Sequence, residues 1–506
     1  MEAYNIKNSL DEYSAAREQF DALVEGLQSG TMMTAEHGDV EKYLFTGGME
    51  LLRRMIQGYM DARSTAEEPR TRMKGRDGVE RMHRRCGCER PLETVFGEVT
   101  VRRMGYGYPG YESVYPLDAS LNLPPDKYSH GLQEILSNES AKGSFDEAIK
   151  AVKTLTGGAV PKRQAEALTP KMAVDFEAFY AKRAVENPED TTDILAMTTD
   201  GKGVVMREEA LREATQRAAK RSRKKQKGSR LKPGEKLNRK RMATVTAVYS
   251  VERNRRTPEE IMNEGADNAT PKSPRPKPRN KRVAASVKKS QEHAIDEMFL
   301  EAKYRDPEQR RPWCALVDGA EHQLEVINAH IKRHGVRVTV IMDFIHVLEY
   351  VWEAAHCFFK TGDEAAEKWV AEKALEILRG NAGQVAGGIR RKATKLELDE
   401  NRRKNADKCA SYLLKHKQYL RYDEYLKEGF PIATGVIEGA CRYLVKDRMD
   451  LTGARWGLEN AEAVLKLRAL RASGDLDAYW KFHRAEEFKR HHLSQYAHYP
   501  VLEAVK

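Results

Sequence analysis

"DILAMTTDGKGVVM", residues 193–206, holds the key to the fold. An apolar run, Ile194-Leu195-Ala196-Met197, leads into Thr198-Thr199-Asp200-Gly201. The pattern returns as "WCALVDG" at 313–319, with Asp318 ahead of Gly319. Both runs read as buried strands ending in an aspartate, with further strands expected at 203–206 and 242–251. One Asp-Gly is only a turn signal. Two of them, each closing an apolar strand, put carboxylates at the C-terminal rim of a sheet, where α/β folds build sites. The glycines leave room for a metal or a backbone to approach.

Outward from 313 the texture alternates. A helix is expected at about 290–304, a strand at 313–317, a helix at 320–333 and a strand at 336–342, before an almost wholly helical, charged stretch at 344–429. Two basic segments interrupt the strands, 207–241 and 253–292, the second rich in Pro, Asn and Lys. Both read as loops that grip phosphates, with Lys224, Lys225 and Lys227 the centre of the first. The chain of 506 residues carries a net charge of +11, which favours a polyanionic partner.

Upstream, 10–28 and 35–63 have apolar residues at helical spacing. A basic stretch at 70–90 precedes "LETVFGEVTVRR" (92–103), expected as a hairpin turning at Gly97-Glu98, and a Pro/Gly/Tyr-rich link at 105–125. Residues 130–185 return to helix. Ser144 and Glu147 fit a capping box, the helix ends near Gly157-Gly158, and Pro161 opens another with Lys162, Arg163 and Gln164 in its first turn. That is a helix-turn-helix layout, and also the layout of an ordinary helical hairpin. Cys86 and Cys88, near His83, lack a second pair at zinc spacing, so a metal there is left open. The other four cysteines read as core residues. No signal peptide or spanning segment is expected, which implies a cytoplasmic, nucleoid-associated protein.

Carboxylates are hard ligands for Mg²⁺, and two such ions about 4 Å apart serve phosphodiester chemistry. The order of three strands, helix, strand, helix, strand, helix matches an α/β ribonuclease H-like core, which takes a third acid from a later helix. Asp343, Glu349 and Glu438 compete for that place, and local sequence does not choose. Glu438 sits among small residues in "TGVIEGACR".

Residues 194–206, 242–252, 311–352 and 431–475 resemble the ISKra-type bacterial insertion-sequence transposases, within the wider Mutator-like DDE group. The stretches that carry the resemblance are "MTTDGKGV", "RKRMATVTAVYSVE", "WCALVDGAEHQL", "IMDFIHVLEYVW", "PIATGVIEGACRYLVKDRMDLTGARW" and "AEAVLKLRALRASGDLDAYW". The resemblance implies a triad of Asp200, Asp318 and Glu438, acting as both catalytic residues and metal ligands. It also implies an all-helical insertion at 344–430 and an Asp-x-x-His motif, here Asp343 to His346. His346 is then expected to orient a phosphate or a metal-bound water, or to cap its helix. Asp343 is expected to hold His346 or to cap. Arg442 is expected to meet a phosphate or Glu438. Arg455 and Trp456 suit a splayed base, though a buried Trp anchor is the plainer reading.

The expected organisation is a helical segment at 1–70, a basic stretch and hairpin at 71–125, and a helical region at 126–190. The ribonuclease H-like core follows at 191–343 and 431–475 around the 344–430 insertion, with a helical tail at 476–506. The resemblance implies a transposase that binds its element's terminal repeats, cleaves with two Mg²⁺ (or Mn²⁺) and joins 3′ hydroxyls to target DNA. A homodimer or higher oligomer on double-stranded DNA is expected. The alternatives are a silent DNA-binding regulator derived from such an enzyme and a ribonuclease H-like nuclease.

Overall fold

The computed structural model describes residues 11–186, 189–225, 238–263, 275–451 and 453–496. The chain divides into two compact units, one made of residues 1–179 and 475–506, the other of 180–474.

The first unit begins with helices Ser14–Gln28 and His37–Thr65. The hairpin pairs His83–Thr94 with Gly97–Tyr108, longer than expected at both ends. Its turn is Val95-Phe96 rather than Gly97-Glu98, because Gly97 takes φ +121° at the first paired position. Val99 and Val101 alternate inward and pack on Met60, Leu92, Leu117 and Leu123. A third strand, Tyr111–Val114, and a short helix, Pro116–Ser120, occupy the expected link. The capping box is present: the Ser144 hydroxyl accepts from the Glu147 amide, and the Glu147 carboxylate accepts from the Ser144 amide. The tail does not trail. Within this unit, helix Leu476–His491 donates Trp480 Nε1–H to Ser137 Oγ (3.0 Å) and Tyr479 O–H to the Met172 carbonyl (2.8 Å).

The second unit is mixed α/β around a five-stranded sheet. Its strands are β1 (Ile194–Val205), β2 (Lys240–Val251), β3 (Arg279–Ser286), β4 (Trp313–Val317) and β5 (Thr339–Met342). The spatial order is β5-β4-β1-β2-β3. β1, β2 and β3 form an antiparallel meander, while β4 and β5 join β1 in parallel through helices. The centre of the sheet is wholly apolar, from Ile194 to Met197 on β1 and Trp313 to Val317 on β4. Strands covered on both faces read as continuous hydrophobic runs, and these do.

Two expectations are corrected here. The separate strands 194–199 and 203–206 are one strand, because the ladder with β2 runs unbroken from Ile194↔Val251 to Val205↔Lys240. The basic segments are not simply loops. The first contains helix Glu213–Lys225, and the second contains helix Pro258–Asn263 and the edge strand β3. Beyond β5, helices Phe344–Ala355, Glu364–Leu378, Ala382–Lys395, Glu400–Lys415 and Tyr422–Glu428 fill the stretch expected to be helical.

Candidate active site

Asp200 lies inside a strand, not at its end, yet it still marks an ending. β1 pairs with β4 only as far as Thr198↔Leu316. Asp200 and Asp318 each stand two residues beyond that last pair. β4 leaves the sheet there, so β1 keeps its β2 neighbour and loses its parallel one. Both aspartates therefore border the opening where the parallel ladder stops. Asp200 Oδ1 accepts from the Gly201 amide (2.6 Å) and Asp318 Oδ1 from the Ala320 amide (2.9 Å).

Gly319 has a reason other than room for a metal. It takes φ +90°, and a Cβ there would meet the Tyr412 hydroxyl at 2.6 Å and Met342 Sδ at 2.8 Å. Tyr412, from helix Glu400–Lys415, donates its O–H to the Asp318 carbonyl at 3.2 Å. The helical insertion thus reaches the turn that carries Asp318. Tyr350 stacks on Tyr412 with centroids 4.0 Å apart, and the Lys408 ammonium lies over the outer ring.

Glu438 lies on the short helix Gly435–Ala440, which packs on β1 and β2. A π-turn, Cys441–Lys446, continues it. Wide turns of this kind leave carbonyls without their usual helical partners. The buried Arg468 guanidinium takes up two of them, the Tyr443 and Leu444 carbonyls. Burial pulls its pKa down to about 10. Cys441, one turn after Glu438, donates its thiol to Asp200 Oδ2 at 3.2 Å. Burial, then the charge of Asp200 and its hydrogen bond, and also Glu438, push that thiol up and keep it protonated. Cys441 thus ties the turn that follows Glu438 to Asp200, where the sequence suggests only a core residue. Its position three residues after a candidate acid is the only signal that could have found it.

Asp343 is fully buried. Its Oδ1 accepts from the Ile345 amide (2.8 Å) and its Oδ2 from the Thr434 hydroxyl. It caps helix Phe344–Ala355 and anchors the chain leading to Glu438, and its hydrogen bonds do not go to His346. His346 pairs instead with Glu349, Nδ1 to Oε2 at 3.1 Å. Burial opposes the charged ring, but that bond and the charges of Asp343, Glu349 and Asp318 hold its pKa above the ordinary imidazole value. Glu349 is an exposed partner of His346.

Several other expected contacts fall elsewhere. Trp456 is buried, donates Nε1–H to the Met449 carbonyl (3.0 Å) and carries the Arg448 guanidinium over its ring, so it is an anchor and offers no face to a base. Its neighbour Arg455 is exposed. Arg442 is exposed and nearest to Asp447, 3.7 Å away, not to Glu438. Lys162 pairs with Asp146 at 2.6 Å, which occupies one of the three polar residues of that helix start, while Arg163 and Gln164 are exposed. Gly157 and Gly158 pack against the backbone of the hairpin turn, where any Cβ would strike Phe96 and Thr94 carbonyls. Lys224 and Lys225 close helix Glu213–Lys225, and Lys227 lies outside the described residues. On and after β3 the basic side chains are largely engaged: Arg279 with Asp193, Arg282 with Glu301, Lys288 with Glu459, Lys289 with Glu297. Cys86 and Cys88 flank Gly87 in a bulge of the first-unit hairpin.

Among the described residues, none of Asp200, Asp318 or Glu438 forms an ion pair with a lysine or arginine, in a chain rich in such pairs. Three unbalanced carboxylates suit hard divalent cations such as Mg²⁺. They are not among the groups whose ligand atoms all lie within 4.8 Å of one another. Sharing two ions about 4 Å apart does not require that closeness.

No family model matches the chain, and no curated protein does. Among solved structures the chain is similar to the Drosophila P element transposase strand transfer complex. The identity is 10%, the TM-score 0.24, and the match covers 72% of this chain and 81% of that one. At that score the likeness carries no argument about this chain.

Proposed function

We propose that this chain is a DNA transposase with a ribonuclease H-like catalytic core, and that Asp200, Asp318 and Glu438 hold its catalytic Mg²⁺ ions. The carrying observation is that Asp200 and Asp318 border the point where the β1–β4 ladder ends, that Cys441, one turn after Glu438, bonds Asp200, and that none of the three carboxylates has a basic partner among the described residues. The strand order β5-β4-β1-β2-β3, a meander extended by two parallel strands, supports the fold reading. So does the helical stretch between β5 and Glu438, which matches the insertion that the sequence resemblance implies.

The residues divide the work. Asp200 and Asp318 arrive on adjacent strands and are oriented by backbone amides. Glu438 arrives from a helix, with Cys441 tying that helix to Asp200. Bound Mg²⁺ would supply an activated oxygen nucleophile and stabilise the leaving oxygen. His346, held above its ordinary pKa and acted on by Asp318, is suited to carry a positive charge beside a scissile phosphate. Arg163 and Gln164, exposed at a helix start, are of the types that read guanine and adenine edges.

The test is incubation of purified protein with labelled element ends, Mg²⁺ or Mn²⁺ and plasmid, scoring nicks and joined products. Asp200→Asn, Asp318→Asn and Glu438→Gln should each lose cleavage by orders of magnitude while still binding DNA; Glu349→Gln should be mild. Cleavage without joining of a pre-cut 3′ hydroxyl end would make the protein a nuclease. Binding without cleavage in the wild type would make it a regulator. Arg163→Ala and Gln164→Ala should lower the preference for element ends over scrambled duplex roughly tenfold, from about 1–3 kcal/mol per lost base contact. An unchanged preference with a lowered melting point would make that helix a scaffold.

A further inference from the structure

Away from the three acids, two helices that flank the same sheet meet at Asp296, His330 and His334. Helix Gln291–Arg305 supplies Asp296, and helix Glu321–His334 supplies both histidines at i and i+4, hence on one face. One ligand atom from each lies within 4.8 Å of the other two. His330 Nδ1 is 3.2 Å and His334 Nε2 is 2.8 Å from Asp296 Oδ1.

Two observations set this apart from a histidine pair that merely salts a carboxylate. The first is burial. His330 is 6% exposed, and its Nδ1 meets Asp296 Oδ1 at 3.2 Å in a geometry too poor for a hydrogen bond, so that carboxylate contact is all that answers the ring nitrogen. The second is preorganisation. Both imidazoles stack on Phe299, with centroids 5.8 and 5.5 Å away, and lie within 25° of parallel to each other. Their planes are thus held before any ligand arrives, which is what a metal site requires of its first ligands.

We propose that Asp296, His330 and His334 form a transition-metal site of the zinc class, separate from the three acids. Two imidazole nitrogens and one carboxylate oxygen suit Zn²⁺, Co²⁺ or Ni²⁺ far better than Mg²⁺. A fourth position is left for water. The site clips helix Gln291–Arg305 to helix Glu321–His334, and the latter begins three residues after Asp318. The metal therefore acts as a staple at the far end of helix Glu321–His334, about 15–20 Å along it from the turn that carries Asp318. Arg333, exposed at 68%, now leans on Asp296 Oδ1 at 3.3 Å and competes for it. Binding of a dication would release that arginine to solvent.

The test uses the untagged full-length protein. Titration with Co²⁺ should give one equivalent with the visible absorption of a low-symmetry nitrogen–oxygen site, displaced by Zn²⁺. The signal should persist in Asp200→Asn/Asp318→Asn, which removes the acids, and vanish in His334→Ala. Arg333→Ala keeps all three ligands and removes the competitor, so it should tighten Zn²⁺ binding several-fold, a gain that misfolding cannot mimic. Absence of Co²⁺ binding in the wild type would overturn the proposal. So would binding that neither His334→Ala weakens nor Arg333→Ala strengthens.

Discussion

The two ends of one sheet treat their carboxylates in opposite ways. Before β1 and β4 begin, the buried and half-buried acids are matched. Glu189 meets Arg305 at 3.3 Å and Arg311 at 2.9 Å, Glu301 meets Arg305 at 2.7 Å, and Asp193 meets Arg279. Asp306 accepts from Trp313 Nε1 at 2.8 Å. Where the β1–β4 ladder stops, Asp200 has a backbone amide and a thiol and Asp318 a backbone amide, and neither these two nor Glu438 has an arginine or lysine partner among the described residues. Burying charge is costly unless it is paired, so the matched end is a structural rivet. None of the three unmatched acids is buried, and on the proposed reading Mg²⁺ from solution would complete them.

The contrast is easiest to break at the matched end. The Arg311 side chain is 1% exposed and faces Glu189 and Asp306. Arg311→Ala should cost about 3–5 kcal/mol, because it leaves buried acids uncompensated. Urea denaturation measures this, and a loss well under 1 kcal/mol would show that the pairing is not structural. At the other end, Gly319→Ala forces a side chain into positive φ and against Tyr412 and Met342. It should cost about 1–3 kcal/mol and lower cleavage further than that loss of stability explains, because the Asp318 turn moves. An alanine variant with wild-type cleavage would sever the insertion from the site.

The smallest effect concerns His346. Its folded-state pKa lies above the ordinary 6.5, so its pairing contributes stability fully below that value. The contribution is lost as pH rises through the raised pKa. His346→Gln should therefore fall short of the wild type most at mildly acidic pH, with the gap closing towards alkaline pH. A gap that is constant with pH would mean that folding leaves the pKa of the ring where it is in the unfolded chain.

Much of this architecture was legible because its strands are covered on both faces. "WCALV" could be nothing but a central strand, and its observed limits are the expected ones. The helices of 344–430 showed themselves by apolar spacing. β3 escaped because it is an edge strand reading "RNKRVAAS", with only Val283 and its alternates turned inward, in a stretch dominated by Pro and Lys. β1 looked broken across Asp200-Gly201-Lys202, residues of low strand propensity, but its ladder with β2 overrides that preference. In the candidate site, the two Asp-Gly steps after apolar runs were visible because strand and turn signals are local, although Asp200 stands within its strand. Tyr412 and Cys441 were not. Each matters through a partner more than 90 residues away, Asp318 and Asp200, and no local pattern records such a meeting. Trp456 was read both ways, and only its burial against Met449 and Arg448 decides the matter.

If Asp200, Asp318 and Glu438 hold Mg²⁺ as proposed, one measurement shows it directly. The melting temperatures of the wild type and of Asp200→Asn are compared in chelator and at millimolar Mg²⁺, an ion that the Asp296–His330–His334 group should not prefer. In chelator the variant should melt close to the wild type, since it loses no ion pair and its amide oxygen still accepts one of the two hydrogen bonds of Asp200. Mg²⁺ should raise the wild type and leave the variant behind. A variant that is less stable in chelator, and that gains as much from Mg²⁺ as the wild type does, would contradict the account.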